Sequence, residues 1–334
     1  MGFLRLFVLS VISAVATVGA VEGAARLLAA PPATRFLAQF TTDRAFVEPD
    51  AALGFRLVPG YVGSGYAINV AGFRGPAFPD DLADRFTVLC AGDSTTFGWL
   101  VEDGEDFPAQ LSRRLQGRGG RALAINGGVP SYTSAQVLWK LREDLPRIEP
   151  DVVIVTMPWN DMWYSSFSPW TPDILVPRLP APWRMWLLQR SAFFRTVASP
   201  PVAAPAVDRS SPDALGVFAT NLSAVVDRVR ATGAVVVFQT PPFDLDHVKP
   251  GGVRFAPTGL EWGRDFLVDV AGRYVQRFRT VAAERDVALV ESPLSIQDLH
   301  QEALFVDEIH PTGEGYGLIA TTLLRSLESQ GMLP

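Results

Sequence analysis

Five unbroken apolar runs, each parted from the next by a helical pattern, constrain this chain more than anything else in it. They read FTVLCA (86–91), ALAIN (122–126), DVVIVTM (151–157), GAVVVFQT (233–240) and VALVES (287–292). A strand with one face in water alternates apolar and polar residues, whereas a strand apolar on both faces must be covered on both. Helical patterns lie near 105–117, 133–144, 213–231, 260–284 and 313–329. The first carries acidic residues at its start and arginines at its end, the order the helix dipole favours. Five such strands alternating with helices predict a parallel sheet between two helical layers, a three-layer α/β/α doubly wound domain over 86–330. Ligands in that architecture bind beyond the carboxyl ends of the strands, so chemistry is sought there.

Composition agrees with a large core. Of 334 residues, 48% are hydrophobic and only 19% charged, which excludes a disordered chain. A net charge of −6 carries no basic footprint for nucleic acid. The single cysteine, Cys90, sits inside the first apolar run and reads as a small core residue, with no intramolecular disulfide open to it. His247, His300 and His310 are scattered, with no metal-ligand spacing, so neither a metal nor a cofactor is expected.

The N-terminus is a membrane segment or a signal peptide. Leu6 to Val21 carries no charge, and 16 residues make a helix of about 24 Å. Val18-Gly19-Ala20 offers a cleavage site, but the helical pattern continues past it. Glu22 and Arg26 pair at i, i+4, Leu27 and Leu28 extend the apolar face, and Pro31-Pro32 stops the helix. The expectation is an uncleaved anchor over 1–30 with the rest of the chain exported, secretion after cleavage being the alternative. Arg5, before the apolar run, places the N-terminus in the cytoplasm.

Two further segments depart from the strand–helix rhythm. Residues 33–85, rich in Gly, Pro and aromatics, read as an irregular β-rich lead-in. Residues 162–211 form an insertion with many prolines and no clear strand. Trp159, Trp163, Trp170, Trp183 and Trp186 lie in or beside it, so it is not a disordered loop. Packing onto the domain, contact with substrate and contact with a membrane are all open to these tryptophans.

Four blocks stand at strand ends or before the last helix: Gly92-Asp93-Ser94, then NGGVPSYTS with Asn126 and Gly128, then PWND with Asn160 and Asp161, then FVDEIHPTGEGY with Asp307 and His310. A serine hydroxyl is a poor nucleophile until a base takes its proton. His310 can be that base, and Asp307, three residues earlier, can hold the other ring nitrogen and fix the tautomer. Asp93 reads as a structural cap. Trp159 and Asp161 at the end of the third strand, and His247 in the loop after the fourth, are candidates for the rim of the site.

In their order these blocks resemble the SGNH, or GDSL-type, serine hydrolases over roughly residues 45–330. The resemblance implies a flavodoxin-like hydrolase fold and a Ser94-His310-Asp307 triad. It also implies an oxyanion hole from the backbone N–H groups of Ser94 and Gly128 and the Asn160 side chain, with Gly127 the runner-up to Gly128. One departure is Pro158, where the third block normally carries glycine. NVAGFRG at 69–75 is similar to the lead-in of exported bacterial members that carry an N-terminal membrane helix, a subgroup often linked to ester or O-acyl transfer chemistry on cell-surface polysaccharides.

The resemblance therefore implies a serine esterase acting on acyl, above all acetyl, esters of an extracytoplasmic (periplasmic) carbohydrate or lipid. Two alternatives remain: O-acyl transfer to an envelope polysaccharide through the same acyl-enzyme, and a non-catalytic anchored subunit of a membrane assembly.

Overall fold

The structure, a computed structural model, describes residues 2–27, 46–63, 65–118, 121–166, 169–177, 183, 186–187, 191–194, 206–207, 210–243, 253–255, 260–294 and 302–334. The elements in chain order are α1 (Gly2–Leu27), β1 (Val47–Asp50), β2 (Gly54–Leu57), β3 (Phe86–Gly92), α2 (Ser94–Phe97), α3 (Phe107–Gln116), β4 (Ala122–Asn126), α4 (Ser134–Ile148), β5 (Val152–Thr156) and α5 (Trp159–Tyr164). They continue with β6 (Ala206–Val207), α6 (Pro212–Arg230), β7 (Val235–Gln239), β8 (Val253–Phe255), β9 (Leu260–Trp262), α7 (Arg264–Glu284), β10 (Ala288–Val290) and α8 (Gly313–Ser329). Two compact units result: residues 46–178, 207–253 and 262–334 form one, and residues 1–45, 179–206 and 254–261 the other.

The five apolar runs form one parallel sheet in the order β10-β7-β5-β3-β4. The chain enters the sheet at β3, one strand in from the edge, winds to the β4 edge, then crosses back. The reversal falls between β3 and β5, which opens a crevice beyond their carboxyl ends. Burial on both faces follows the period of two. Val88, Cys90, Val152 and Ile154 face α3 and α8, packing with Phe107, Leu111, Tyr316, Ile319 and Leu323. The opposite face is covered by α4, α6 and α7, where Phe238 of β7 stacks on Phe278 of α7 at 4.5 Å.

Sequence also sets where the helices begin. Asp106 caps α3 through the Ala109 N–H at 3.0 Å. Thr133 and Gln136 form a capping box at α4. The pattern expected near 133–144 runs on to Ile148, with Pro146 in its last turn. That near 260–284 begins only at Arg264, because β9 occupies Leu260–Trp262 and pairs with β6 and β8 in a small separate sheet.

Within the described part of the lead-in, β1 and β2 form an antiparallel hairpin. Residues 33–45 of the lead-in and parts of the 162–211 insertion lie outside the described residues. The lead-in is bonded into the sheet domain. The Tyr132 hydroxyl donates to Phe55 O at 2.6 Å and Gln136 Nε2 donates to Leu53 O at 2.7 Å. Arg74 forms a β-bridge with Asn126 at the end of edge strand β4.

Candidate active site

β3 ends at Gly92, and Asp93 turns the chain at φ −102°, ψ −148° into α2. The Asp93 carboxylate accepts the Thr95 N–H at 2.9 Å and the Thr95 hydroxyl at 2.8 Å. The residue that looked like a structural cap is one. Its burial pushes its pKa up to about 6. Because Asp93 takes the cap, Ser94 becomes the first helical residue. After a single turn α2 stops at Gly98 with φ 84°, a left-handed conformation that suits glycine.

Ser94 Oγ lies 2.9 Å from His310 Nε2. Nδ1 of the same ring lies 2.9 Å from each carboxylate oxygen of Asp307. Asp307 Oδ1 also accepts the backbone N–H groups of Ile309 at 3.0 Å and His310 at 2.9 Å. One short loop before α8 thus holds the carboxylate, the imidazole and their mutual geometry. Burial works against ionisation of Asp307, but the facing imidazole and these hydrogen bonds outweigh it and hold the carboxyl below its ordinary value. Ser94 and His310 are each 7% exposed, so the pair is largely desolvated yet reaches the surface.

Asn160 sits in the first turn of α5, beyond β5. One Nδ2 proton goes to Tyr132 O at 2.9 Å, which fixes the amide plane and leaves the second proton directed elsewhere. The neighbouring Asp161, expected at the rim, is instead fully buried at 2% exposure. It accepts the Ser134 N–H at 2.8 Å and the Ser134 hydroxyl at 2.5 Å, tying α5 to the start of α4. Burial raises its pKa to about 7. Trp159 is likewise no rim residue: it is 1% exposed and packs edge-on against Phe243, in a helix whose six residues are all buried. His247 and His300 lie outside the described residues.

Gly128 does not enter as expected. Its N–H donates to Asn126 Oδ1 at 3.0 Å, so that donor already has an acceptor. Glycine is needed there for space: a Cβ would stand 2.3 Å from Phe97 N and 2.7 Å from Thr96 C, on the backbone of α2. Gly127 donates to Cys90 O at 2.8 Å.

The sequence marks Gly-Phe-Arg-Gly as a motif but assigns its arginine no task. Arg74, from the Gly-Phe-Arg-Gly of the lead-in, is buried behind α2. Its guanidinium donates to the carbonyls of Phe97 at 2.8 Å, Gly98 at 2.5 Å and Val101 at 2.8 Å. It is paired with the buried Asp106 at 3.7 Å. Asn126 Nδ2 joins them through Phe97 O and Asp106 Oδ1, both at 3.0 Å. A cation on the last carbonyls of a helix opposes the dipole's negative end. The available signal was an arginine lodged among glycines and aromatics, where a surface charge has no reason to be. Among the described residues, no group of three or more His, Cys, Asp or Glu is placed to hold a metal ion.

A hydroxyl, an imidazole and a carboxylate in one hydrogen-bonded chain, beyond the strand ends of a doubly wound sheet, is the arrangement of ester-cleaving hydrolases. The GDSL-like lipase/acylhydrolase family model matches residues 90–318. The chain belongs to that family and is an ester-hydrolysing enzyme. Among similar solved structures is a lipolytic protein of the G-D-S-L family from Desulfitobacterium hafniense, at 16% identity over 73% of this chain and 100% of that one, TM-score 0.46. Another is a lipase/acylhydrolase from Enterococcus faecalis, at 17% identity over 73% and 96%, TM-score 0.45. An acetylxylan esterase from Geobacillus stearothermophilus aligns at 17% identity over 72% and 93%, TM-score 0.45. No curated protein matches the sequence.

Proposed function

We propose that the chain is a membrane-anchored serine esterase in which Ser94 is the nucleophile, His310 the general base and Asp307 the residue that orients it. The observation that carries this reading is the contact of Ser94 Oγ with His310 Nε2 at 2.9 Å, continued at 2.9 Å from Nδ1 to Asp307. With Nδ1–H donated to the carboxylate, Nε2 is left as the acceptor for the serine proton. Ser94 Oγ then attacks the ester carbonyl, and the imidazolium returns the proton to the leaving alcohol. Water repeats the sequence on the acyl-enzyme, with His310 again the base.

The developing oxyanion is met by the Ser94 N–H at the start of α2 and by the second Nδ2 proton of Asn160. Donors held in place before the reaction need no reorganisation when charge develops. Gly128 serves this hole indirectly, by letting its loop lie against the α2 backbone.

The acyl group we propose is small, acetyl first, on an extracytoplasmic carbohydrate or lipid. The N-terminal helix and the Gly-Phe-Arg-Gly lead-in support that setting. α1 is long and apolar enough over Arg5–Leu27 to cross a membrane. It continues as one helix through Val18-Gly19-Ala20, which favours an anchor over a cleaved signal.

The test is labelling with a fluorophosphonate together with hydrolysis of p-nitrophenyl acetate. Wild type should be labelled and active; Ser94→Ala should lose both. Retained turnover in Ser94→Ala would sink the assignment.

A further inference from the structure

Past the end of its apolar run, α1 grips a second segment of the chain. Glu22 follows Val21 directly, and its carboxylate accepts the Ala192 N–H at 2.8 Å, the Phe193 N–H at 3.1 Å and the Ser191 hydroxyl at 2.8 Å. Arg26, one turn on, donates to the same carboxylate at 2.8 Å. Ser191 in turn accepts the Phe194 N–H at 3.0 Å. A carboxylate that accepts several N–H and O–H bonds makes a directional joint, not a passing contact. It fixes residues 191–194 at the level of the helix where the uncharged stretch ends.

At that joint the chain leaves large aromatic surface uncovered. Trp183 is 64% exposed, Trp186 53% and Phe193 47%. Trp183 and Trp186 are each helical. From 183 to 195 the sequence adds Arg184, Arg190 and Arg195 and no acidic residue. Exposed tryptophans beside arginines, without acids, are the composition of the membrane–water interface. There the indole ring sits among headgroups, and the guanidinium meets lipid phosphate.

We propose that Trp183, Trp186 and Phe193 form an interfacial element that lies in the headgroup layer of a bilayer. On this reading Glu22 clamps the element to the end of the membrane-spanning part of α1, so that anchor and element enter the lipid as one unit. The proposal rests on the anchor reading of α1. The occupant of the aromatic surface is the lipid interface. Continuity with the anchor assigns that occupant: the joint begins at Glu22, the first charged residue after the apolar run.

The full-length protein tests this in vesicles of phosphatidylethanolamine and phosphatidylglycerol. In a Cys90→Ser background, a single cysteine is placed at Val11, Trp183 or Phe193 and labelled with an environment-sensitive fluorophore. Lipids with spin labels at shallow or deep positions then serve as quenchers, with iodide as the aqueous one. Labels at 183 and 193 should lose fluorescence to the shallow lipid more than to the deep one, and be shielded from iodide. The Val11 label should respond most to the deep lipid.

Quenching of 183 and 193 by iodide and not by lipid, with Val11 still quenched by deep lipid, overturns the interfacial element and leaves the anchor standing. Loss of the deep signal at Val11 overturns the anchor reading and this proposal with it. Adding Glu22→Ala should abolish the shallow signal at 193 while the Val11 signal persists. A shallow signal that survives Glu22→Ala overturns the role of the clamp.

Discussion

Gly128→Ala separates two explanations for a glycine beside the proposed nucleophile, Ser94. The substitution keeps the backbone N–H, so a role as hydrogen-bond donor alone would survive it. In this fold the new methyl carbon would stand 2.3 Å from Phe97 N, against an ordinary contact beginning at 3.4 Å, a shortfall of about 1.1 Å. The atoms it meets are backbone atoms of α2, which cannot rotate away as a side chain would. The helix that carries Ser94 must move by about that distance, or the loop must retreat and break the Asn126–Gly128 bond. A misplacement of about 1 Å costs about a hundredfold in rate when reacting groups must be held in line. Overpacking costs a further 1–3 kcal/mol, roughly, in stability.

The assay is kcat/KM on p-nitrophenyl acetate, normalised by fluorophosphonate titration so that only folded sites are counted. Gly127→Ala is the control. Its Cβ would meet Cys90 O and a Leu89 methyl at 3.0 Å, a strain of a few tenths of an ångström, and it should retain most of the activity. Equal losses in the two variants, or full activity in Gly128→Ala, would refute the steric argument.

Three more outcomes are expected. Asn160→Ala should lower kcat by about 10²–10³ with little change in KM, as loss of one oxyanion donor does; a change confined to KM would assign Asn160 to substrate binding. Arg74→Met leaves Asp106 without its buried partner and three carbonyls without their donor. Urea unfolding should show a loss of about 3–5 kcal/mol, and a loss under about 1 kcal/mol, no more than a surface pair contributes, would refute the buried-staple role. Asp161 binds its proton more tightly folded, with a pKa of about 7, than at its ordinary value of 3.8. Its contribution to stability is therefore present below pH 3.8 and lost as pH rises towards about 7, by at most about 4 kcal/mol. The stability of wild type relative to Asp161→Asn should fall across that window, and a difference that stays constant with pH would refute the buried, protonated Asp161.

The sequence by itself determined the sheet and the addresses of its chemistry. A strand apolar on both faces is a local pattern, and so is a cap such as Asp93, Asp106 or Thr133. Both can be read without knowing what lies across the fold. Asp307 and His310 share one loop, so their contact too was nearly local.

Only the tertiary structure decided what meets what across the chain. Ser94 and His310 are 216 residues apart and come together because α8 packs on the face of the sheet where β3 is an interior strand. The reason for glycine at 128 lies in α2, and the Gly127 N–H meets Cys90 O through the register that sets Cys90 opposite Asn126. Arg74 looked like part of an irregular β-rich lead-in until its carbonyl partners stood around it. Trp159 and Asp161 looked like rim residues because they follow a strand end, but whether the short helix there is covered is a packing outcome, and all of α5 is buried. The bond between Glu22 and residues 191–193 joins positions about 170 residues apart, and no local pattern in either segment announces the other.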